Sequence, residues 1–540
     1  MRGEAWTPAR RPPCRYRPHR SGRGPPTEAV RVPKRTRIDM APSLTKDPAN
    51  EPAAGKTFFG HPRGMATLFM TELWERFSWY GMRAILVLYL VHGVLDGPLQ
   101  DREALAASIY GVYNAVVYMA AMPGGWIADR LWGARKAVLV GGVIIALGHY
   151  TLAVPGDVAF FLGLGLIAVG TGLLKPNISA MVGGLYEGQP GARRDAGFTL
   201  FYMAINIGGM IAPLVVGYLG ENVDWHLGFA VAGVGMTLAV IQYVLGGKYL
   251  GDVGSEPATP ATPEERCSVL RKAGLWTAVA VAALLADILL GTFDIEHIVN
   301  VLAIAGIVVP ILYFLAIFRN PALRSEDRPK IKAFVWFFAT AVLFWVIYDQ
   351  SGSLLTFFAD NKTDRVIGGW EFPASWYQSV NPALIIVLAP LFAALWVRLA
   401  QRNREPGTPM KFALAMLLIG GSFAIMGLAG AAAASSDTGK VTVFWLLSVY
   451  LVQTIGEMCL SPVGLSLSTK LAPKVFVGQI MGLWFLATAT GNALNGWVTQ
   501  LNAVLGDAAY YTMWAVIAAA AGVTFMIASK RIGKLMGDVK

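Results

Sequence analysis

Glu72, Glu75, Arg76 and Arg83 all lie within "TELWERFSWYGMR" (71–83), between "GMATLFM" and "AILVLYLV", two runs that read as lipid-soluble helix. A charged side chain at the middle of a bilayer costs about 2.5 to 3.5 kcal/mol on insertion scales, so this set, left unpaired, would oppose insertion by roughly 10 kcal/mol. These residues must face protein or water. At about 100° per residue, with Glu72 at 0°, Glu75 falls near −60°, Arg76 near +40°, Trp79 near −20°, Tyr80 near +80° and Arg83 near +20°. One face carries all six, and Leu73, Phe77, Ile85 and Leu88 largely avoid its centre. Two carboxylates beside one guanidinium leave one acid poorly neutralised and able to take up a proton, after which Arg76 loses part of its partnership. The plainer alternative is a structural ion-pair cluster that glues helices together.

Other apolar runs carry isolated polar groups: Lys175 in "GTGLLKPNIS", Asn206 in "FYMAINIGG", Asp349 and Gln350 in "VIYDQSG", Gln378 and Asn381 in "WYQSVNPAL", and Glu457 in "TIGEMCLSPVG". A single Asn or Gln of this kind is more commonly a buried hydrogen-bonding group. Taken together, Arg83 and Lys175 from the first half of the chain would face Asp349 and Glu457 from the second across a cavity. Such a cavity fits a zwitterion, the cations taking its carboxylate and an acid its amine. An extended dipeptide is one such solute, and Asn206 and Asn381 would serve its peptide bond. Trp79, Tyr80, Tyr118, Trp345 and Trp484 remain as aromatic lining, although with 16 Trp and 18 Tyr in the chain most such rings belong to interfacial belts or packing.

The elements that must position these groups follow from composition. Of 540 residues, 55% are hydrophobic and 15% charged, with mean hydropathy +0.50, a balance that belongs in a bilayer rather than in a soluble domain. Runs of about 20 mostly apolar residues give fourteen candidate transmembrane helices between residues 64 and 531, among them 331–356 and 476–502. One set of connections holds 20 Lys or Arg and the alternate set four, namely Arg102, Lys362, Arg365 and Lys440. Cytoplasmic loops collect such residues, so both termini are expected in the cytoplasm. The chain divides into a six-helix bundle at 64–249, a cytoplasmic linker at 250–269, an inserted transmembrane hairpin at 270–318, a second six-helix bundle at 331–532 and a cytoplasmic tail at 533–540. Weak echoes between the two halves suit a secondary transporter with its site at the midplane.

The net charge of +11 is mostly a tail effect: residues 1–39 hold 11 Lys or Arg against Glu4, Glu28 and Asp39, which leaves +3 for the remainder. Residues 1–60 are expected to be a disordered basic tail. Met40 is an alternative start that would make 1–39 an artefact, favoured over a tail resting on anionic lipid. Cys14, Cys267 and Cys459 have no paired spacing, so neither a disulfide framework nor a metal site is implied. With no GxxxxGK[ST] loop, no HExxH and no dinucleotide fingerprint, ATP-driven transport would need another subunit and an integral-membrane enzyme is disfavoured.

"ELWERFSWYG" resembles the ExxERFxYYG motif of the proton-dependent oligopeptide transporter family within the major facilitator superfamily, with Glu72, Glu75, Arg76, Phe77, Tyr80 and Gly81 in register. "GGWIADRLWGARKAVLVGG" is similar to that family's first signature and carries the superfamily turn at Gly125, Asp129, Arg130, Gly133, Arg135 and Lys136; "FTLFYMAINIGGM" is similar to the second signature. "FWVIYDQSG", "SWYQSVNPAL" and "EMCLSPVGLSLSTKLAP" extend the resemblance over about residues 64–530, and the inserted hairpin with a short outer loop at 433–440 looks like the prokaryotic branch.

The resemblance implies an all-α integral membrane protein of the major facilitator fold, with two six-helix bundles and an inserted two-helix hairpin. It implies symport of di- and tripeptides with protons by alternating access in the bacterial inner membrane. The proton is the coupling ion and no other cofactor is expected. The protein would work as a monomer among membrane lipids, with no nucleic acid. The resemblance places proton coupling at Glu72, Glu75 and Arg76, carboxylate binding at Arg83 and Lys175, and amine binding at Glu457 with Asn206 and Asn381. It adds contacts at Tyr80, Tyr118 and Trp484, and gating salt bridges Arg83–Asp349 and Lys175–Glu457. Two departures stand out: Trp79 replaces the motif's first Tyr, and Asp349 stands where many bacterial members have Glu. No His occurs in the region 103–128, and His149 is not expected to couple. The alternatives are a member shifted to nitrate, a drug or another small ion, and a non-transporting peptide sensor.

Overall fold

The computed structural model describes residues 57–537; the basic tail expected at 1–60 lies almost wholly outside them. The first half comprises α1 (Arg63–Tyr89), α2 (Leu99–Ile127), α3 (Ala134–Leu152), α4 (Asp157–Gly184), α5 (Gly191–Ala212), α6 (Tyr218–Asn222) and α7 (Trp225–Gly246). The inserted pair is α8 (Pro263–Leu289) and α9 (Ile295–Arg319). The second half holds α10 (Arg328–Tyr348), α11 (Leu354–Lys362), α12 (Val380–Gln401), α13 (Thr408–Ser435), α14 (Phe444–Leu471), α15 (Val477–Val498), α16 (Leu501–Leu505) and α17 (Asp507–Met536). Among the described residues, short strands occur only in connections between helices: β1 (Thr363–Asp364) pairs in parallel with β4 (Val441–Thr442), and β2 (Val366–Ile367) forms a hairpin with β3 (Trp370–Glu371).

Thirteen helical stretches among the described residues are long and apolar enough to cross a membrane. The fourteenth span is α15, whose 22 residues include Gln479, Thr488, Thr490, Asn492 and Asn495. It tolerates this polarity because protein surrounds it: α2, α9, α10 and α14 all pack against it.

Close approach of small residues sets the helix spacing, as expected where lipid supplies no hydrophobic drive between helices. Gly163 and Gly170 of α4 face Gly148 and Gly141 of α3, and a Cβ at Gly170 would stand 2.7 Å from the Gly141 carbonyl oxygen. "GLGLIAVGTG" is therefore a packing surface. In the second half, Gly491 of α15 lies against Trp345 and Val342 of α10.

The superfamily turn between α2 and α3 is closed by Gly133 at φ 79°, a left-handed conformation that L side chains rarely adopt. The linker returns to this turn. Gly254 O accepts from Arg135 N at 2.8 Å, Asp129 O from Thr259 N at 3.0 Å and Arg130 O from Ala261 N at 3.0 Å. Thr262 then starts α8 with a capping box to Glu265, and Glu265 pairs with Arg130 at 2.6 Å.

The sequence predicts a span at 331–356, and the structure has one spanning stretch there, Arg328–Lys362. Within it the helix tightens after Tyr348 into a 3₁₀ turn, Asp349–Gly352, before α11 resumes. At that turn Tyr110 of α2 comes so close that a Cβ at Gly352 would collide with its hydroxyl. α2 thus crosses the backbone at the turn that presents Asp349.

Candidate functional site

The helical face read from the sequence of α1 is buried: Glu72, Glu75 and Arg76 are 2%, 1% and 4% exposed. Arg76 Nε donates to Glu72 Oε1 at 2.8 Å. Glu75 Oε2 lies 2.7 Å from the same nitrogen but lacks hydrogen-bond geometry, and Glu72 Oε2, Glu75 Oε2 and Arg76 Nη2 are all buried with no hydrogen-bond partner. Buried polar atoms are ordinarily paired, so two carboxylates sharing one nitrogen form an incompletely satisfied, net-negative cluster. α5 presses against its rim, where a Cβ at Gly208 would collide with Leu73 O. The Nζ of Lys175 on α4 rests 4.2 Å from the centroid of the Tyr118 ring.

Two turns further along α1, Arg83 meets groups from other helices. Its Nε donates to the Tyr110 hydroxyl, and its Nη2 lies 3.7 Å from Asp349 Oδ1. Asp349 Oδ2 accepts from Asn492 Nδ2 of α15 at 2.6 Å. The expected Arg83–Asp349 pair is therefore present but long, as the shorter acid suggested, and Tyr110 and Asn492 complete it.

The Lys175–Glu457 bridge is not made. Glu457 Oε2 instead accepts from the Tyr348 hydroxyl at 2.7 Å and from Asn381 Nδ2 at 3.0 Å; Asn381 also lies 3.0 Å from Thr454 Oγ1. Lys175 instead rests over the Tyr118 ring, and Glu457 finds both its partners within its own half. Tyr80 stands between the clusters, within the electrostatic reach of Arg83, Arg76, Glu457 and Asp349.

Several expected lining residues make packing or hydrogen-bond contacts of their own. Trp79 stacks on Tyr113, with centroids 5.9 Å apart, and is 7% exposed. Gln378 donates to Thr356 Oγ1 at 3.2 Å and Ala84 O at 3.4 Å, which ties the start of α12 to α11 and to the end of α1. Asn206 is buried and bonds Tyr202 O of its own helix at 2.9 Å. Trp484 packs edge-on against Phe412 and over Gly464, and Trp345 lies edge-to-face with Phe344 and Tyr348. His149 is wholly buried in α3, with neither ring nitrogen bonded.

Bonds between the two halves crowd at the end where α1 finishes. Glu221 accepts from Ala374 N at 2.7 Å and Ser375 N at 2.9 Å, Glu103 accepts from Asn361 at 2.6 Å, and His92 pairs with Asp360 at 3.4 Å.

Sequence reading missed Tyr110, Tyr348 and Asn492. Tyr348 stands inside the quoted "FWVIYDQSG", where its hydroxyl could have been weighed against a bilayer; Asn492 lies in the small-residue run "GNALNG" (491–496), whose spacing points to close helix contact rather than to a site; Tyr110 carries no local signal.

Residues 135–513 match the family model described as POT family. A di-/tripeptide transporter of Lactococcus lactis subsp. cremoris is 41% identical over 497 residues, covering 90% of this chain and 98% of the relative. A crystal structure of a peptide transporter POT in complex with sulfate superposes with a TM-score of 0.83 at 41% identity, over 89% of this chain and 97% of that one. Another, of a POT family transporter in complex with 5-aminolevulinic acid, gives a TM-score of 0.83 at 35% identity, over 88% and 98%. The fold is accordingly that of the major facilitator superfamily, and the chain, a multi-pass membrane transporter, belongs to the POT family.

Proposed function

We propose that this protein is a proton-coupled symporter that imports di- and tripeptides by alternating access. The observation that carries the proposal is the α1 cluster: two buried carboxylates share a single Arg76 nitrogen and each keeps an unbonded oxygen. A proton added there would satisfy one acid and loosen Arg76. Names of relatives at about 40% identity support di- and tripeptides as the solute.

In this reading Arg83 and Lys175 take the peptide carboxylate, Glu457 with Asn381 and Asn206 takes the amine, and Tyr80, Tyr118 and Trp484 line the site. The bonded outer end, together with Lys175 standing apart from Glu457, supports an inward-facing conformation. Peptide release and return of Lys175 to Glu457 would then precede reopening outward. The membrane potential contributes about 2.3 kcal/mol per charge per 100 mV, so one proton supports roughly tenfold or greater accumulation. The uneven Lys and Arg content of the connections supports cytoplasmic termini in a bacterial inner membrane. The proton is the only coupling cofactor proposed, and the monomer among lipids is the working unit.

The test is uptake of labelled dialanine into proteoliposomes, with an inward proton gradient and with the gradient collapsed by an ionophore. Accumulation only with the gradient is expected. No uptake in either condition by folded protein would overturn the proposal in favour of another solute or a sensor.

A further inference from the structure

A pocket of about 290 Å³ lies where α1 finishes, and both halves wall it: His92, Glu221 and Trp225 come from the first, Asp360, Arg365 and Glu371 from the second. His92 stands in the π turn Leu90–Val94 that continues α1, about 24 Å along the helix from Arg76. Its ring is parallel to that of Trp225, with centroids 6.5 Å apart, and its Nε2 lies 3.4 Å from Asp360 Oδ2. The other oxygen of that carboxylate, Oδ1, accepts from Arg365 Nη2 at 2.9 Å. Asp360 is thus held by its own half through one oxygen and offers the second across the gap.

The surrounding charges decide what a proton on His92 would do. Arg102 of α2 donates to Val91 O beside it, and Glu103 of α2 accepts from Asn361 at 2.6 Å. Glu221 of α6 borders the same pocket, and Asp224 caps α7 by accepting from Leu227 N at 3.0 Å. All four belong to the first half and travel with His92 when the halves part. The second half contributes Asp360, Arg365 and Glu371, with Arg365 also 3.1 Å from Glu371. Two acids against one base mean that parting the halves removes one net negative charge from the histidine's surroundings.

Histidine changes charge between about pH 5 and 8, and an imidazolium binds a carboxylate more strongly than a neutral ring does. A proton on His92 therefore strengthens a contact that exists only while the halves meet. By linkage, acid favours the closed arrangement of this end. We propose that His92 and Asp360 form a pH-sensitive latch between the halves, which protonation of His92 tightens. Both side chains are partly exposed, 43% and 22%, so the latch should shift the open-to-closed ratio by about two- to fivefold rather than lock it. Only the compartment whose acidity it senses rests on the orientation proposed above; with this end outward, external acid would slow reopening.

The experiment uses the full chain in nanodiscs, with spin labels across this end and the open-to-closed ratio read at about pH 8 and about pH 5.5. Because the α1 carboxylates are present in every protein compared, the quantity that counts is the change in pH response relative to the unmodified sequence. H92Q keeps a hydrogen-bonding side chain without the charge, and it should cut the closure gained on acidification by about two- to fivefold. D360N should do the same, and the double variant should lose no more than either, since a single contact is removed. H297Q is the control: His297 lies 3.1 Å from Asp287 within the inserted hairpin, a similar exposed pair that does not join the halves, and it should leave the response intact. An undiminished response in H92Q or in D360N, additive losses in the double variant, or an equal loss in H297Q would each overturn the latch. The labels report conformation without peptide or gradient, so a failure of peptide uptake and a failure of the latch are read separately.

Discussion

Seven residues along α1 separate Arg76 from Arg83, yet the two guanidiniums live in different surroundings. Arg76 finds both its acids on its own helix and leaves three buried polar atoms unbonded in the cluster. Arg83 is bonded by α2 and paired with the 3₁₀ turn of the second half, whose acid is in turn held by α15. A cluster contained in one helix keeps its geometry however the halves stand, so its unmet bonds are open to a proton. A cluster assembled from both halves exists only while they meet, so its bonds weigh on the conformational balance. Buried charge can thus serve chemistry or gating, depending on whether its partners are local or distant.

The largest effect should come from breaking the local cluster. Glu75→Gln should reduce gradient-driven accumulation of dialanine by about tenfold or more, down to the equilibrium level, while leaving counterflow exchange within about twofold; accumulation that survives would remove Glu75 from coupling. Breaking the distant cluster should act on conformation. Asn492→Ala removes a hydrogen bond to a charged group, worth about 1.5–3 kcal/mol, and spin labels across the outer end should report a larger open population. Adding Asp349→Glu, which reaches Arg83 directly, should restore closure, and a population indifferent to both changes would count against the gating role.

The smallest effect concerns Glu457, which lies between the two extremes with bonds from Tyr348 and Asn381 of its own half and none from Lys175. Tyr348→Phe should cost about 0.5–1.5 kcal/mol, raising KM for dialanine about two- to tenfold but leaving an N-acetylated dipeptide unaffected. An equal shift for both substrates would mean that Tyr348 acts on packing rather than through the amine-binding carboxylate.

Much of the fold was legible because the bilayer imposes a strict length and polarity rule. Thirteen of the fourteen expected spans meet it outright, and α15 departs from it only because other helices shield its asparagines. The face of α1 was legible because 3.6-residue periodicity alone aligns Glu72, Glu75 and Arg76. Trp79 shows the limit of that reasoning: it shares the face by angle but stacks on Tyr113 of α2, a contact that no periodicity within α1 encodes. Gln378 likewise belongs by position to a helix start near the site, yet its amide donates to Thr356 and to Ala84 near the end of α1.

What this sequence determined by itself is what depends on near neighbours in the chain: the number of spans, the charged face of α1, the left-handed turn at Gly133 and the asymmetry of basic connections. Only the tertiary structure decided the 3₁₀ turn after Tyr348, the completion of the Arg83–Asp349 pair by Tyr110 and Asn492, and the choice of Tyr348 and Asn381 over Lys175 as partners of Glu457. Those outcomes depend on separate helices meeting at a few ångströms, from 27 residues apart for Arg83 and Tyr110 to 143 for Asp349 and Asn492, and side-chain reach at such crossings is set by packing, not by spacing along the chain.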